Sequence, residues 1–293
     1  MESRPLIRIP SLKAGPACPV PDASVDRLCE WLSGRKRLLV LTGAGLSTGS
    51  GIPAYRDGDG QWLRRDPILY QQFIAHQDMR RRYWARSYFG WQVMRQAHPN
   101  AAHRALADIE RAGLLSLLVT QNVDGLHRAA GSRNVVELHG SLATVQCLDC
   151  DHRMARDTLQ EQLAELNPDW RPEVLGFNPD GDVELDAEAY PGFKVVDCPS
   201  CGGRLKPDVV FFGESVPRTR SHAIDLALTT SDALLVVGSS LVVMSGYRIV
   251  RKAKQTGIPV AAINRGRTRA DELLTLKHDG DCIEALAAMA AAL

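Results

Sequence analysis

This sequence predicts an α/β fold built on a doubly wound parallel sheet, with a small cysteine-bearing module inserted between its halves and a helical insert ahead of it. Three observations carry the expectation. Short apolar runs at residues 37–42, 114–119, 135–138, 234–237 and 260–263 end in glycine or polar residues and alternate with helix-like patterns, the rhythm of βαβ units. Two Cys-x-x-Cys pairs interrupt that rhythm midway, at Cys147/Cys150 and Cys198/Cys201. The length, 293 residues, suffices for one large core with a smaller attachment. The expected division is a loose arm over 1–24, a main domain over 25–145 and 205–293 with its helical insert at about 57–98, and the small module over 146–204.

Composition excludes several classes. Lysine and arginine number 35 against 34 aspartates and glutamates, so no net field argues for nucleic acid or a membrane as partner. No apolar run approaches the ~20 residues of a membrane span. The first two dozen residues hold Pro5, Pro10, Pro16, Pro19 and Pro21 without an apolar signal core, and read as an arm rather than a secretion signal. Beyond the two cysteine pairs, Cys18, Cys29 and Cys282 lie far apart, which suits an intracellular metal site better than a disulfide framework. The expected location is the cytoplasm, or the mitochondrial matrix for a eukaryotic source.

In chain order, a helix is expected over Val25–Ser33, closed by Gly34. The strand Arg37–Thr42 then feeds Gly43-Ala44-Gly45-Leu46-Ser47. A strand entering a glycine turn is how backbone N–H groups are brought against a phosphate. Thr48 stands where the hydride-transfer fingerprint has its third glycine, so the turn departs from that pattern. The loop from Ser50 to Arg56 and on to Gly60 reads as a mobile cover over a ligand, or else as an ordinary surface loop. From Asp66 to Gln96 the pattern is helical, with Tyr70, Phe73 and Ile74 at core spacing. Arg80, Arg81, Arg82 and Arg86 surround Tyr83 and Trp84, and by spacing alone make a solvated face. Tyr83 and Arg86, three apart, share one side of that helix. Asn100 caps an amphipathic helix through Ala102, Ala105, Leu106 and Ile109 that stops at Gly113.

The strand at 114–119 breaks into Gln121, Asn122, Val123, Asp124 and Gly125, and the strand at 135–138 delivers His139 with Gly140 behind it. Ligands of open parallel sheets sit outside the carboxyl ends of the strands. An amide, a carboxylate and an imidazole there suit orienting a sugar and moving its protons. The bland alternatives are a turn for Asn-x-Asp-Gly and a satisfied polar residue for His139. The four paired cysteines are expected to supply four tetrahedral thiolates at ~2.3 Å from a structural zinc ion, leaving no open position, with a redox pair as the alternative. Leu205–Glu214 returns to an apolar strand. Leu234–Ser240 ends in glycine and hydroxyls suited to phosphate, and Val260–Gly266 ends in Asn264, which could meet a ribose. A final helix begins near Asp281-Cys282, with Ile283, Leu286 and Met289 on one face.

Taken together, these residues resemble the sirtuins, NAD-dependent protein-lysine deacylases with a Rossmann-like sheet. The motifs are Gly43–Ser47, Ser50–Arg56, Thr120–His127, His139-Gly140, both cysteine pairs, Lys206–Glu214 and Gly238–Leu241. Arg82–Arg86, Asn178–Val183 and Ser245–Arg248 are similar to class II, in the branch of the mitochondrial lipoamidase and ADP-ribosyltransferase. Gly49 stands where that branch usually has glutamate, Asp57 follows the Tyr-Arg pair, and the stretch between the cysteine pairs is long.

The resemblance implies NAD, consumed as co-substrate, one structural zinc, and acyl-lysine-bearing proteins as partners. Gly43, Ala44, Gly45 and Ser47 with Gly238, Ser239 and Ser240 would hold the phosphates. Asn264 would take the adenosine ribose, with the Cys282 backbone near the adenine, and Arg265 and Gly266 would also bind the cofactor. Ile52, Pro53, Gln121, Asn122, Val123 and Asp124 would enclose the nicotinamide, with Tyr55 and Arg56 on the loop above. A substrate peptide would lie extended between Val210-Phe211-Phe212-Gly213-Glu214 and Leu241-Val242-Val243. Tyr83 and Arg86 would border the acyl pocket, where they could receive a distal carboxylate. His139, with a pKa expected near neutrality, would be the general base that takes a proton from the ribose hydroxyls. The products would be free lysine, nicotinamide and O-acyl-ADP-ribose. ADP-ribosyl transfer to protein or lipoamidase activity on the same site is the alternative. A nicotinamide oxidoreductase would share the sheet but give His139 no role, and an NAD-binding sensor would need no base.

Overall fold

The computed structural model describes residues 12, 18–54, 67–178 and 181–293, the side chains of 187 and 188 excepted. In chain order the strands are β1 (Leu38–Thr42), β2 (Leu115–Thr120), β3 (Val135–Glu137), β4 (Gly140–Cys147), β5 (Arg153–Ala155), β6 (Val174–Phe177), β7 (Val183–Leu185), β8 (Leu205–Val209), β9 (Ala233–Val237), β10 (Val260–Ile263) and β11 (Leu276–His278). The helices are α1 (Val25–Ser33), α2 (Ala44–Ser47), α3 (Tyr70–Ala75), α4 (Gln77–Met94), α5 (Ala101–Arg111), α6 (Leu126–Ala129), α7 (Arg156–Leu166), α8 (Arg218–Thr230), α9 (Met244–Gln255) and α10 (Cys282–Ala291).

Among the described residues there is one six-stranded sheet, in the order β11-β10-β9-β1-β2-β3, with a three-stranded β5-β4-β8 sheet and the β6-β7 hairpin beside it. Every pairing in the large sheet is parallel. The chain winds outward from β1 through β2 to β3, then restarts at β9 and winds the other way. The β1/β9 junction is therefore the switch point, where such sheets open a crevice. All residues of β1, β9 and β10 are buried, so these strands read as unbroken apolar runs covered on both faces. Alternate residues feed two cores: Leu38, Val40, Leu235 and Val237 pack with α1, α5 and α10, whereas Leu39, Leu41, Leu234 and Val236 pack with α8 and α9.

The expected helix boundaries at Val25–Ser33, Asn100 and Asp281 carry visible caps. Ser24 Oγ accepts from Arg27 N, Asn100 Oδ1 from Ala102 N and His103 N, and Asp281 Oδ1 from Ile283 N. Three expectations are altered. The single helix over 66–96 is broken at His76, which is extended, and Arg80 takes up the Phe73 and Ile74 carbonyls at the end of α3. The strand after the second cysteine pair does not rejoin the large sheet: β8 pairs antiparallel with β4. Gly140 is where the chain leaves the large sheet. Its φ is +89°, and a Cβ there would lie 1.9 Å from Asp208 O, so the crossing admits only glycine. The third, β11, was not foreseen because its centre is charged. Lys277 is buried and paired with Asp271 at 3.3 Å.

The end of the expected N-terminal arm is fixed. Asp22 bridges to Lys277, and Ala23 O accepts from His278 Nδ1 at 2.7 Å. Most of 1–24, and the insert's residues 57–66, lie outside the described residues. α4 shares one core with the small module: Tyr83, Trp84 and Tyr88 pack with Val145, Leu159, Leu163 and Leu205. Arg156 on α7 sits between the Trp84 and Trp91 rings, 5.6 and 5.5 Å from their centroids.

Candidate active site

Two turns meet at the switch point. A Cβ on Gly238 (φ +59°) would lie 2.5 Å from Leu46 N, and one on Gly45 would lie 2.9 Å from Gly238 O. Glycine is required on both sides of this contact. Gly43 N donates to Val237 O at 3.0 Å and Gly45 N to Gly238 O at 2.9 Å, so these two N–H groups knit the turns together. Above them opens a cavity of about 730 Å³, a size that suits a dinucleotide with part of a second ligand. Gly43, Ala44 and Gly45 line it together with Gly238, Ser239 and Ser240, and Asn264, Arg265 and Cys282 are also in its lining. Gly266 is not in that lining; its N–H donates to Asp279 Oδ1 at 2.8 Å. Cys282 Sγ meets Gly45 O at 3.6 Å, and burial pushes its thiol up to about 11.

Gln121, Asn122, Val123 and His139 line the middle of the cavity. Ser47 and Asp124 stand behind them. Asn122 Nδ2 donates to Ser47 Oγ at 2.9 Å and to Gly43 O at 3.1 Å, while Ser47 Oγ donates to Asp124 Oδ2 at 2.7 Å. This chain ties the first glycine turn to the end of β2. Burial pushes the Asp124 carboxyl up, against the Leu126 N–H and Ser47 hydroxyl that bond to it. Ile52 packs with Val123, Leu126 and Leu142 beside the cavity. Pro53 is half-buried next to it. Tyr55 and Arg56 lie outside the described residues.

His139 has a definite tautomer. The Gln121 carbonyl can only accept, so Nδ1 carries the proton and donates to it at 3.0 Å. Nε2 is left as the lone pair and accepts from Ser245 Oγ at 2.7 Å. The expected near-neutral pKa is corrected here. Burial takes it down to about 4, the bond to Gln121 O works the other way, and the Arg220 charge lowers it further. The imidazole is thus a neutral acceptor throughout the neutral range.

Tyr83 also lines the cavity, its ring tilted 42° to that of Phe211 with the centroids 5.2 Å apart. Arg86 does not behave as the resemblance implied. It is 2% exposed; Nε donates to Val183 O at 2.9 Å, and Nη2 lies 3.0 Å from both Asp182 Oδ2 and Glu184 Oε1. It is not on a solvated face: two carboxylates of the β6-β7 hairpin hold it. Asp182 is among the residues that line the cavity, and its buried carboxylate accepts from Arg86 and Asn178. The segments expected to flank a peptide, Val210–Glu214 and Leu241–Val243, line two sides of the opening. Lys206, buried beneath, pairs with Glu214 Oε2 at 3.0 Å, and Glu214 Oε2 also accepts from Phe211 N.

The four paired cysteines converge. Their Sγ atoms all lie within 4.8 Å of one another, with Cys147–Cys201 at 3.6 Å and Cys150–Cys198 at 3.8 Å. Four thiolates at ~2.3 Å from a tetrahedral zinc stand ~3.8 Å apart, so the set fits that ion and leaves no open position. Asp149 N donates to Cys147 Sγ at 3.3 Å, and Arg204 grips Asp149 through Nη2 at 2.6 Å and Nε at 3.1 Å, which fixes the first knuckle.

The Sir2 family pattern matches residues 43–245, the stretch that holds both turns, His139 and all four cysteines. The chain belongs to the Sir2 family. Among sirtuins it is similar to the NAD-dependent protein deacetylase of Bordetella bronchiseptica, 54% identical over 265 residues that cover 90% of this chain and 97% of the relative. That of Xanthomonas axonopodis pv. citri is 52% identical, covering 92% of each chain. Of solved sirtuin structures, a Sir2–p53 peptide–NAD+ complex superposes with a TM-score of 0.72 at 28% identity, over 90% of this chain and 96% of the other. A Sir2 homologue–NAD complex gives 0.72 at 29% identity, over 94% and 96%.

Sequence reasoning missed two residues at this sirtuin site. Ser245 was noted only as a mark of its branch, and nothing in the chain points across the 106 residues to His139. Asp182 sat in another such stretch and was given no role.

Proposed function

We propose that the protein removes acyl groups from lysine side chains of other proteins, consuming NAD and releasing nicotinamide and O-acyl-ADP-ribose. The observation that carries this is the placement of a neutral, unprotonated His139 Nε2 in the same cavity as the paired glycine turns. The turns seat the cofactor's phosphates, and the Asn122–Ser47–Asp124 chain orients the carboxamide and ribose end. His139 accepts a proton from a ribose hydroxyl once that hydroxyl is aimed at the acyl carbon. Val210, Phe211 and Val242 keep bulk water from the reacting atoms. A peptide strand lies between Phe212-Gly213-Glu214 and Val242, held by backbone bonds that leave its sequence largely free. Zinc on Cys147, Cys150, Cys198 and Cys201 stabilises the small module, which we assign to residues 146–204, and takes no part in the reaction.

The class II branch is favoured because the three segments that resemble it converge on this cavity: Tyr83, Asp182, Ser245 and Arg248 all line it. Gly49, the departure from that branch, has a physical counterpart, since a Cβ there would lie 2.3 Å from Ile283 Cδ1 on α10. With Arg86 already paired to two carboxylates, the pocket prefers neutral acyl chains to dicarboxylic ones. No helix among the described residues is long and apolar enough to cross a membrane, and we place the protein in the cytoplasm, where its thiolates remain reduced. A panel of acetyl-, lipoyl-, succinyl- and glutaryl-lysine peptides with NAD, read by mass spectrometry, tests this. Acetyl and lipoyl turnover with O-acyl-ADP-ribose is expected; reduced NAD as the product, or no acyl transfer, would refute it.

A further inference from the structure

Nε2 of His139, the lone pair that must take the proton, is already covered by a hydroxyl. Ser245 Oγ sits on it at 2.7 Å and lines the same cavity as His139, Asn122 and Val242. Any proton that reaches Nε2 must either displace this hydroxyl or pass through it.

The surroundings hold the contact in place. Ser245 is in the first turn of α9, which begins at Met244. The next residue, Gly246, is buried against Gln121, and a Cβ there would lie 2.5 Å from Gln121 Oε1. Gln121 cannot retreat easily, because its Nε2 donates to Ser239 Oγ at 2.8 Å and to Thr42 O at 3.3 Å, and its carbonyl holds His139 Nδ1. The absence of a side chain at Gly246 therefore lets α9 approach the imidazole closely enough for Ser245 to bond to it. On its other side, Arg269 ties the start of the helix by donating to Val242 O at 3.0 Å while stacking 4.7 Å from the Tyr247 ring.

We propose that Ser245 is a catalytic residue that relays the proton between the ribose hydroxyl and His139, an inference that rests on the deacylase reading above. The ribose hydroxyl gives its proton to Ser245 Oγ as Ser245 gives its own to His139 Nε2. The ribose oxygen keeps the electron pair and forms its bond to the acyl carbon of the imidate left when nicotinamide departs, while the π pair of that carbon–nitrogen double bond moves onto the lysine nitrogen. Serine is regenerated, the imidazole becomes imidazolium, and no further reactant is needed. Departure of nicotinamide precedes this transfer and does not draw on it.

Ser245→Thr and Ser245→Val separate the hydroxyl from its bulk, because threonine and valine have nearly the same shape and differ in that group. The full chain is assayed with NAD and an acetyl-lysine peptide for two quantities: exchange of labelled nicotinamide into NAD, and release of deacetylated peptide. With a relay, Ser245→Val keeps exchange and loses peptide release about 10²-fold, as expected for a lost proton-transfer group, while Ser245→Thr stays within about 5-fold of the natural protein. Equal peptide release by the two variants, or equal loss of exchange and release in Ser245→Val, would overturn the relay while leaving the deacylase intact. A natural protein that releases no deacetylated peptide would overturn the deacylase reading and the relay with it.

Discussion

At the scale of single residues, His139 is defined by what it can no longer do. Burial holds it near pKa 4 and the Gln121 carbonyl holds its proton on Nδ1, so it cannot act as an acid at neutral pH. As a base it is lost only when pH falls through its own pKa. The acid limb of kcat/KM should therefore lie well below the 6.5 of a free imidazole, and a limb at 6.5 or above would show that the ring is not buried as described. Removing the ring in His139→Ala should lower deacylation ~10²–10⁴-fold with little effect on NAD affinity by calorimetry. Arg86 carries a second expectation. In Arg86→Met, Asp182 and Glu184 lose their shared partner inside the protein, so stability should fall by about 3–5 kcal/mol and every acyl activity should drop together. Selective loss of succinyl or glutaryl activity would restore it as a ligand-reading residue. His139 and the cysteines were legible from sequence because their chemistry is carried by residue type and close spacing. The roles of Arg86 and Ser245 were not, because each is set by a partner about a hundred residues away.

At the scale of elements, the all-buried strands β1, β9 and β10 announced themselves as apolar runs, and Asn100 and Asp281 marked helix starts. What failed was pairing. The run Leu205–Val209 looks like any buried strand, and only the turn at Gly140 sends its partner β4 out of the large sheet. β11 failed because Lys277 breaks the apolar pattern, and its pairing with Asp271 is invisible in sequence. The contact between the glycine turns should be as intolerant as its geometry. Gly238→Ala places a Cβ 2.5 Å from Leu46 N at a left-handed φ, and should cost about 1–3 kcal/mol in melting and weaken NAD binding at least several-fold. The cysteine knuckles should behave as a staple. Elemental analysis should find one zinc per chain, and Cys150→Ala should lower the melting temperature and reduce activity only indirectly. A metal-free preparation that melts like the natural protein would contradict that role.

At the scale of the whole molecule, the sheet's switch point assembles the site, and the same burial makes the fold sensitive to acid. His103 and His139 are pushed down to about 4, chiefly by burial, and His127 is lowered well below its usual value. Each is neutral when folded and takes a proton more readily when unfolded. Stability is thus complete above the unfolded value near 6.5 and falls as pH drops toward about 4, by roughly 3 kcal/mol for each of His103 and His139. Asp124 and Glu137, raised by burial, oppose this at the acid end. Urea melts at pH 7 and pH 5 should show the lower pH less stable; an equal or higher midpoint at pH 5 would contradict the buried, neutral histidines. The central claim is that one cavity joins NAD cleavage to acyl transfer with His139 as base. The most direct measurement uses a peptide whose lysine carries an isotope-labelled acetyl group, incubated with NAD and either the natural protein or His139→Ala. The label should appear in O-acetyl-ADP-ribose, one per nicotinamide released, and His139→Ala should make almost none. Label recovered as free acetate from the outset, or formed equally well without His139, would contradict it.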